Sequence, residues 1–425
     1  MASNFHFLLM VLFPIFFFAS ESRTGPNSLL VPVYKDNQTS LHVINIQKRT
    51  PLKTIPFLVD LNGKFLSVNC DQDYLSSTYN PPFCHSTLCA RTGPHFCHKC
   101  SSSAPKPGCH NNTCAVITTN PLTKRNVAAE IAQDVLAIQS TNLQGSNPGQ
   151  LVIVRRFLFA CTPSFFLQGP LPKNVQGIAG FGHNPVSLPI QLASHFGFPP
   201  KFAFCLPSIN NQNGVIFFGN TSYRIHPGID FSVNMKFTPL SVGSQGEYFI
   251  LVKSIRISDR EIPLNASLIS RTRSFGGTMI STINPYTVLE HSIYQTFSQF
   301  FTNEMTRMGA SQVDTISPFG VCFRNVQELP KVGIGAPLID FVMQNRNVSW
   351  RIYGPNSLIQ ARPGIWCFAF VDGGSRPRAS IVLGAHQLEN TIVEFDLARS
   401  RLGFSAPLHL SRVSCGQFNF TSSPP

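Results

Sequence analysis

Two stretches of the chain are built to one plan. Pro56-Phe57-Leu58-Val59-Asp60-Leu61-Asn62-Gly63 is an apolar run ending in a carboxylate and a turn, and Gly277-Thr278-Met279-Ile280-Ser281-Thr282-Ile283-Asn284 repeats it with serine in the acid's place. A second repeated element follows each of them. Gly177-Ile178-Ala179-Gly180 and Ile381-Val382-Leu383-Gly384 place Gly180 120 residues after Asp60 and Gly384 103 after Ser281. Two apolar residues and a glycine suit a buried strand that lets another backbone pass closely. Paired elements at comparable spacing predict two related lobes, each contributing one loop to a shared cleft.

The asymmetry between the loops bears on chemistry. A hydrolase that works with a pair of carboxylates shares one proton between them, so that one acts as base and the other as acid. Asp60 has no such partner, because Ser281 occupies the matching position. Neither is assigned as catalytic. Asp60 is expected to persist as a leftover carboxylate at a pseudo-twofold interface, hydrogen-bonded to Ser281. The two loops resemble those of the aspartic proteases, whose pattern implies a glycine at the sharp turn where Ile283 stands, and a β-branched residue is a poor occupant of positive φ. The second loop is therefore expected to be rebuilt.

Between these elements the pattern is mostly strand. Short β-branched and aromatic runs at residues 28–34, 150–154, 214–219 and 391–395 are bounded by Gly, Asn, Pro or Ser. Helical periodicity is confined to a few places, chiefly Leu188 to Phe196 and Ile293 to Met308. The expected fold is all-β dominated and bilobal, with a few short helices and disulfide staples. Its divisions are a signal peptide over 1–22, an N-terminal lobe over 23–228 and a C-terminal lobe over 229–425.

The leader carries the apolar run Phe7 to Ala19 with a small-residue exit at Ala19-Ser20, and no later segment is apolar enough to span a bilayer. Secretion makes the 12 cysteines candidates for six disulfides. Cys97-His98-Lys99-Cys100 has zinc-like spacing, but sulfurs that can pair in an oxidising compartment leave no metal site to expect, and no cofactor is expected either. The pairing expected is Cys70 with Cys161, Cys84 with Cys89, Cys205 with Cys415 and Cys322 with Cys367, leaving Cys97, Cys100, Cys109 and Cys114 to pair among themselves. Sequons at Asn37, Asn111, Asn220, Asn265, Asn347 and Asn419 are glycosylation candidates. Arg271-Thr272-Arg273 is a candidate processing site or an exposed linker.

Only 12% of residues are charged, against about 25% in an average protein, yet the net charge is +13. No run of five basic residues occurs, which argues against nucleic acid as partner. An acidic polysaccharide or acidic protein surface fits the charge better; a basic isoelectric point tuned for solubility or storage packing is the plainer reading.

Together these residues resemble the pepsin-like aspartic proteases, and within them a plant branch that is not proteolytic. The carrying motifs are Cys70-Asp71-Gln72, Pro107-Gly108-Cys109-His110-Asn111-Asn112-Thr113-Cys114, Ser281-Thr282-Ile283-Asn284-Pro285-Tyr286 and the tail Val382-Leu383-Gly384-Ala385-His386 through Leu402-Gly403-Phe404. That branch contains basic 7S globulins, gamma-conglutins, and inhibitors of xylanases and xyloglucan endoglucanases. Protease members read Asp-Thr/Ser-Gly-Thr/Ser in each half and carry a tyrosine-bearing flap. Here residues 120–130 contain neither that tyrosine nor its turn, so the flap is expected to be lost. The resemblance implies an inactive secreted homologue, extracellular or vacuolar, that binds rather than cleaves. Its implied partners are microbial glycoside hydrolases or a peptide or carbohydrate ligand, and self-association into a homo-oligomer is compatible with it. Inhibitory members resemble one another in using basic side chains against carboxylates, which carries over onto Arg412 in Ser411-Arg412-Val413-Ser414-Cys415 and onto Lys331 after Leu329-Pro330. A lysine lacks the bidentate fork of arginine. His386, beside Gly384 in the tail motif, is a further candidate for facing a partner's carboxylate. Leu61-Asn62-Gly63-Lys64 and Phe83-Cys84-His85 lean toward the seed globulins.

Overall fold

Alternating β-branched and aromatic segments pair into sheets because one face of each can be buried while turn residues absorb the reversals. The computed structural model describes residues 25–71, 73–100, 104–141, 147–226, 228–270, 276–330 and 333–421. The leader and Arg271-Thr272-Arg273 lie outside them. The dominant feature is a continuous 19-stranded sheet, accompanied by two four-stranded sheets and a two-stranded ribbon. The expected strand at 28–34 is Ser28–Lys35, which runs antiparallel to Asn213–Gly219 with Ser28 opposite Gly219. Strand Lys201–Cys205 pairs with Ile392–Asp396, carrying the sheet from the first half of the chain into the second. The disulfide Cys205–Cys415 reinforces that junction.

The two helices longer than one turn among the described residues lie where periodicity predicts them. Leu188–Phe196 ends on Gly197 in the left-handed region at φ 79°, a position that suits a residue without Cβ. His291–Arg307 begins at Glu290, whose carboxylate accepts from the amides of Ser292 and Ile293 and so satisfies two donors of the first turn. It buries Phe297 and Phe301 against Phe368. Among the described residues no helix is long and apolar enough to cross a membrane.

The two repeated elements generate the same local topology in both lobes. Strand Lys53–Asp60 lies parallel to Gly177–Gly180, with Asp60 opposite Gly180. Strand Thr278–Ile280 lies parallel to Ile381–Leu383, with Ile280 opposite Leu383. In each lobe the returning strand, Leu66–Asn69 or Thr287–Leu289, then pairs antiparallel with the same glycine-bearing strand. A Cβ on Gly180 would lie 2.5 Å from the carbonyl oxygens of Gly63 and Phe65, and one on Gly384 would lie 2.3 Å from the carbonyl carbon of Tyr286. Both glycines are thus crossing points that a side chain would block.

All 12 cysteines are paired. Cys70–Cys161, Cys205–Cys415 and Cys322–Cys367 form as expected, but the cluster between them is arranged differently. Cys84 joins Cys97 and Cys89 joins Cys114, while Cys100–Cys109 remains within the expected group. The cause is local. His85 adopts φ 64°, and the one-turn helix Thr87–Ala90 that follows, capped by Ser86, turns Cys89 into the interior where Cys114 is also fully buried. Cys84 is left facing the outer strand that carries Cys97.

A buried electrostatic joint links the lobes. Glu389 is 1% exposed and lies 2.8 Å from the Lys35 ammonium, 3.7 Å from His42 and 3.3 Å from His386. Burial alone would raise the Glu389 carboxyl, but Lys35, His386 and His42 outweigh it and hold it down at about 2. Burial pushes the His42 imidazole from 6.5 down to about 4, against the attraction of Glu389. The signs follow from linkage. His42 stays neutral in the fold while the unfolded chain takes up a proton, so acidification from 6.5 to about 4 costs stability; Glu389 contributes stability above its ordinary 4.5 that is lost as the pH falls towards about 2. We predict a Tm that declines steadily from pH 6.5 to 2, and a shallower decline between 6.5 and 4 in His42→Asn. Identical profiles for the two proteins would contradict this assignment.

Candidate functional site

The base of the cleft is held by side chains that reach across the lobes. Thr282 Oγ1 accepts from the Leu61 amide at 2.9 Å and donates to the Val59 carbonyl at 2.8 Å. In the opposite direction the Asn62 carboxamide donates to the Ile280 carbonyl at 2.8 Å and accepts from the Tyr248 amide at 3.2 Å. Asn62, which reads in sequence as a departure from the protease pattern, therefore supplies half of the lobe contact.

Asp60 and Ser281 sit at matching positions of this base, 6% and 1% exposed. The Asn62 amide donates to Asp60 Oδ1 at 3.0 Å. Burial raises the Asp60 carboxyl above its ordinary value, against the Asn62 amide, Arg378 and Lys124, which favour its charged form. The expected bond from Ser281 to Asp60 is replaced. Ser281 Oγ donates to Asn284 Oδ1 at 2.8 Å, turned into its own loop. Ile283 avoids the left-handed region, as expected of a rebuilt turn, and its side chain is buried with Leu58, Val127, Phe166 and Ile178. An isoleucine in the glycine's position thus becomes an apolar plug between the lobes.

The hairpin above the cleft is present, contrary to expectation; what it lacks is the tyrosine and its turn. Strands Thr113–Thr119 and Asn126–Thr141 pair with Thr119 opposite Asn126. Asn120 builds the tip, with Oδ1 accepting from the amides of Leu122 and Thr123 and Nδ2 donating to the Phe166 carbonyl at 2.7 Å. Arg125 donates to the Phe165 carbonyl at 2.7 Å. The tip is therefore tied to the segment beneath it. Partial burial and the guanidinium of Arg378 push the Lys124 ammonium down, while Asp60 pulls the other way. Lys124, Arg378 and Lys64 border the same cavity of about 600 Å³ as Asp60, which is the only acid among its described lining residues. Sequence reasoning missed Lys124 and Arg378 as cleft residues, since nothing local distinguishes them from other exposed cations.

The other candidates separate. Arg412, exposed and at φ 57°, lies with His409 and Leu410 against Leu329, Pro330 and Gly333 around a groove of about 480 Å³. Lys331 falls outside the described residues. His386 does not face outward: it is 6% exposed, with Nδ1 against Glu389 and Nε2 3.2 Å from the Leu358 carbonyl, because its one-turn helix Ala385–Leu388 packs into the joint between the lobes. Asn37, Asn111, Asn220, Asn265, Asn347 and Asn419 are all exposed.

The chain is similar to known proteins along most of its length. A family model described as xylanase inhibitor N-terminal matches residues 42–220, and xylanase inhibitor C-terminal matches 247–406. The chain is 50% identical over 412 residues to gamma conglutin 1 of Prunus dulcis, covering 95% of this chain and 93% of that one. It is 45% identical to basic 7S globulin 2 of Glycine max over the whole of both chains, and 43% identical to a probable aspartic proteinase GIP2 of Nicotiana benthamiana, covering 95% and 94%. A crystal structure of edgp superposes with a TM-score of 0.90 at 44% identity, covering 93% of this chain and 99% of that one. An aspartic proteinase from Irpex lacteus shares the fold at 15% identity, with a TM-score of 0.58 over 91% of this chain and 99% of that one.

If Thr282 carries the lobe contact, Thr282→Ala strands a buried donor and a buried acceptor and should cost about 2 kcal/mol, while Thr282→Ser should recover most of it. Denaturant unfolding checks this, and an alanine variant within about 0.5 kcal/mol of the parent would contradict it.

Proposed function

The chain belongs to the xylanase inhibitor family that includes gamma conglutins and basic 7S globulins, and from that premise we propose that it is a secreted globulin that binds rather than cleaves. The observation that carries this is the Ser281 hydroxyl turned to Asn284, which leaves Asp60 without a second carboxyl to share its proton. Peptide hydrolysis by this fold needs one acid to activate water while the other protonates the leaving group. Ile283, buried as a plug, and a hairpin tip bonded down at Asn120 and Arg125 remove two further requirements. On this reading the leader is cleaved near residue 22, and the lobes 23–228 and 229–425 mature in an oxidising compartment bound for the extracellular space or a seed vacuole.

A second reading is favoured by the groove at Arg412. Its exposed guanidinium stands beside the segment Leu329-Pro330, as the resemblance to inhibitors implies. An arginine fork pairs bidentately with a carboxylate, and glycoside hydrolases present two in their clefts. The proposed partner is therefore a secreted glucanase of the xylanase or xyloglucanase type; the alternative is storage or ligand binding without inhibition.

Purified protein should show no cleavage of denatured protein substrates between about pH 2 and 6, the acid range in which a carboxyl pair shares its proton, and Ser281→Asp should remain inactive because Ile283 and the hairpin are unchanged. Cleavage blocked by a transition-state inhibitor of aspartic proteases would overturn the reading. Titration against both glucanase types tests the partner: Arg412→Ala should weaken inhibition by on the order of tenfold or more. Absence of inhibition by the parent protein at high excess would leave the storage or ligand-binding alternative.

A further inference from the structure

We propose that the vestigial cleft is a receptor for one carboxylate that carries an apolar group. This deepens the non-cleaving reading and is independent of the Arg412 groove. The cavity of about 600 Å³ has the volume of a small-ligand site. Its charge is unbalanced in a particular way. Arg378 is paired with Glu247 at 3.0 Å, but Lys64 donates to the neutral Gln245 carboxamide at 2.5 Å and Lys124 to the Pro121 carbonyl at 2.5 Å. Two ammonium groups on neutral acceptors therefore line a cavity whose one acid, Asp60, is held toward its neutral form by burial. With Asp60 held toward its neutral form the excess lies between one and two positive charges, most of which a monoanion would offset.

The apolar half of the site is equally specific. Phe65, Phe166 and Ile178 line the cavity, and Ile117 on the hairpin lines it while 57% exposed, a large apolar surface at the mouth without a covering side chain. A ligand with its carboxylate at Lys124 and Lys64 and an aliphatic or aromatic group against Ile117 and Phe65 would satisfy both halves. The loss of the second acid at position 281 removes the repulsion that would otherwise oppose an anion there. Two sources share this chemistry: the C-terminal residue of a peptide, and a free small organic acid.

Calorimetric titration of the intact protein at low salt distinguishes them with four probes: 3-phenylpropionate, its primary amide, acetyl-Gly-Phe with a free carboxylate, and the same dipeptide amidated. At least one acid should bind at least tenfold more tightly than its amide, and Lys124→Gln and Lys64→Gln should each weaken that acid by on the order of threefold to tenfold, as expected for losing one charge-assisted contact at a partly exposed site. Tighter binding of the dipeptide assigns peptide tails; tighter binding of phenylpropionate assigns free acids. Arg412→Ala should bind as the parent does. Equal binding of acids and amides, no binding of any probe at millimolar concentration, or undiminished affinity in both lysine variants with parental Tm would overturn the proposal. Each of these results leaves the proteolysis assay, which tests the non-cleaving reading, unaffected.

Discussion

The Thr282 hydroxyl, accepting from one lobe's Leu61 amide and donating to its Val59 carbonyl, is the contact through which the two halves meet at the cleft base. Asn62 answers it from the other side by donating to Ile280. None of these atoms is an acid. A buried amide or carbonyl left unpaired is costly, so these contacts hold the lobes in register whatever stands at positions 60 and 281. That separation between what joins the lobes and what performs chemistry allows the second carboxyl to be absent while the fold persists.

Once the acid pair is gone, neighbouring residues are free to change role. Ile283 fills space that a glycine turn would leave open, and Val127 from the hairpin packs against it. The hairpin is bonded down through Asn120 and Arg125. Lys124 and Lys64 then make the cleft basic around a lone, charge-disfavoured Asp60. On the proposed reading these changes convert a site that would polarise water into one that holds an anion. The joint around Glu389, with Lys35, His42 and His386, is a second contact between the two halves of the chain.

Much of the fold is legible in the sequence because its signals are local. Strand runs, the helix at Leu188–Phe196 and the crossing glycines Gly180 and Gly384 each depend on a few consecutive residues, and the duplication makes two related lobes readable from the chain alone. What stays hidden depends on residues far apart in the chain. Cys89 turns away from Cys84 because of a one-turn helix too short to register as periodicity. His386 reads as available beside a loop motif, yet it is buried against Glu389 three residues on and against the Leu358 carbonyl 28 residues before it. Asn62 stands where protease members carry glycine, and its role is not legible locally because its partner, Ile280, lies in the second half. The hairpin survives the loss of its recognisable turn because Asn120 rebuilds the tip through contacts with Phe166 that the local sequence does not announce.

The central claim is that Asp60 is a solitary carboxyl. Carbon-13 detected titration of aspartate-labelled protein reads this directly. A single ionisation step for Asp60, displaced above the ordinary aspartate value by burial and unchanged in Ser281→Ala, is the predicted result. Two coupled steps, the behaviour of carboxyls that share a proton, would contradict it.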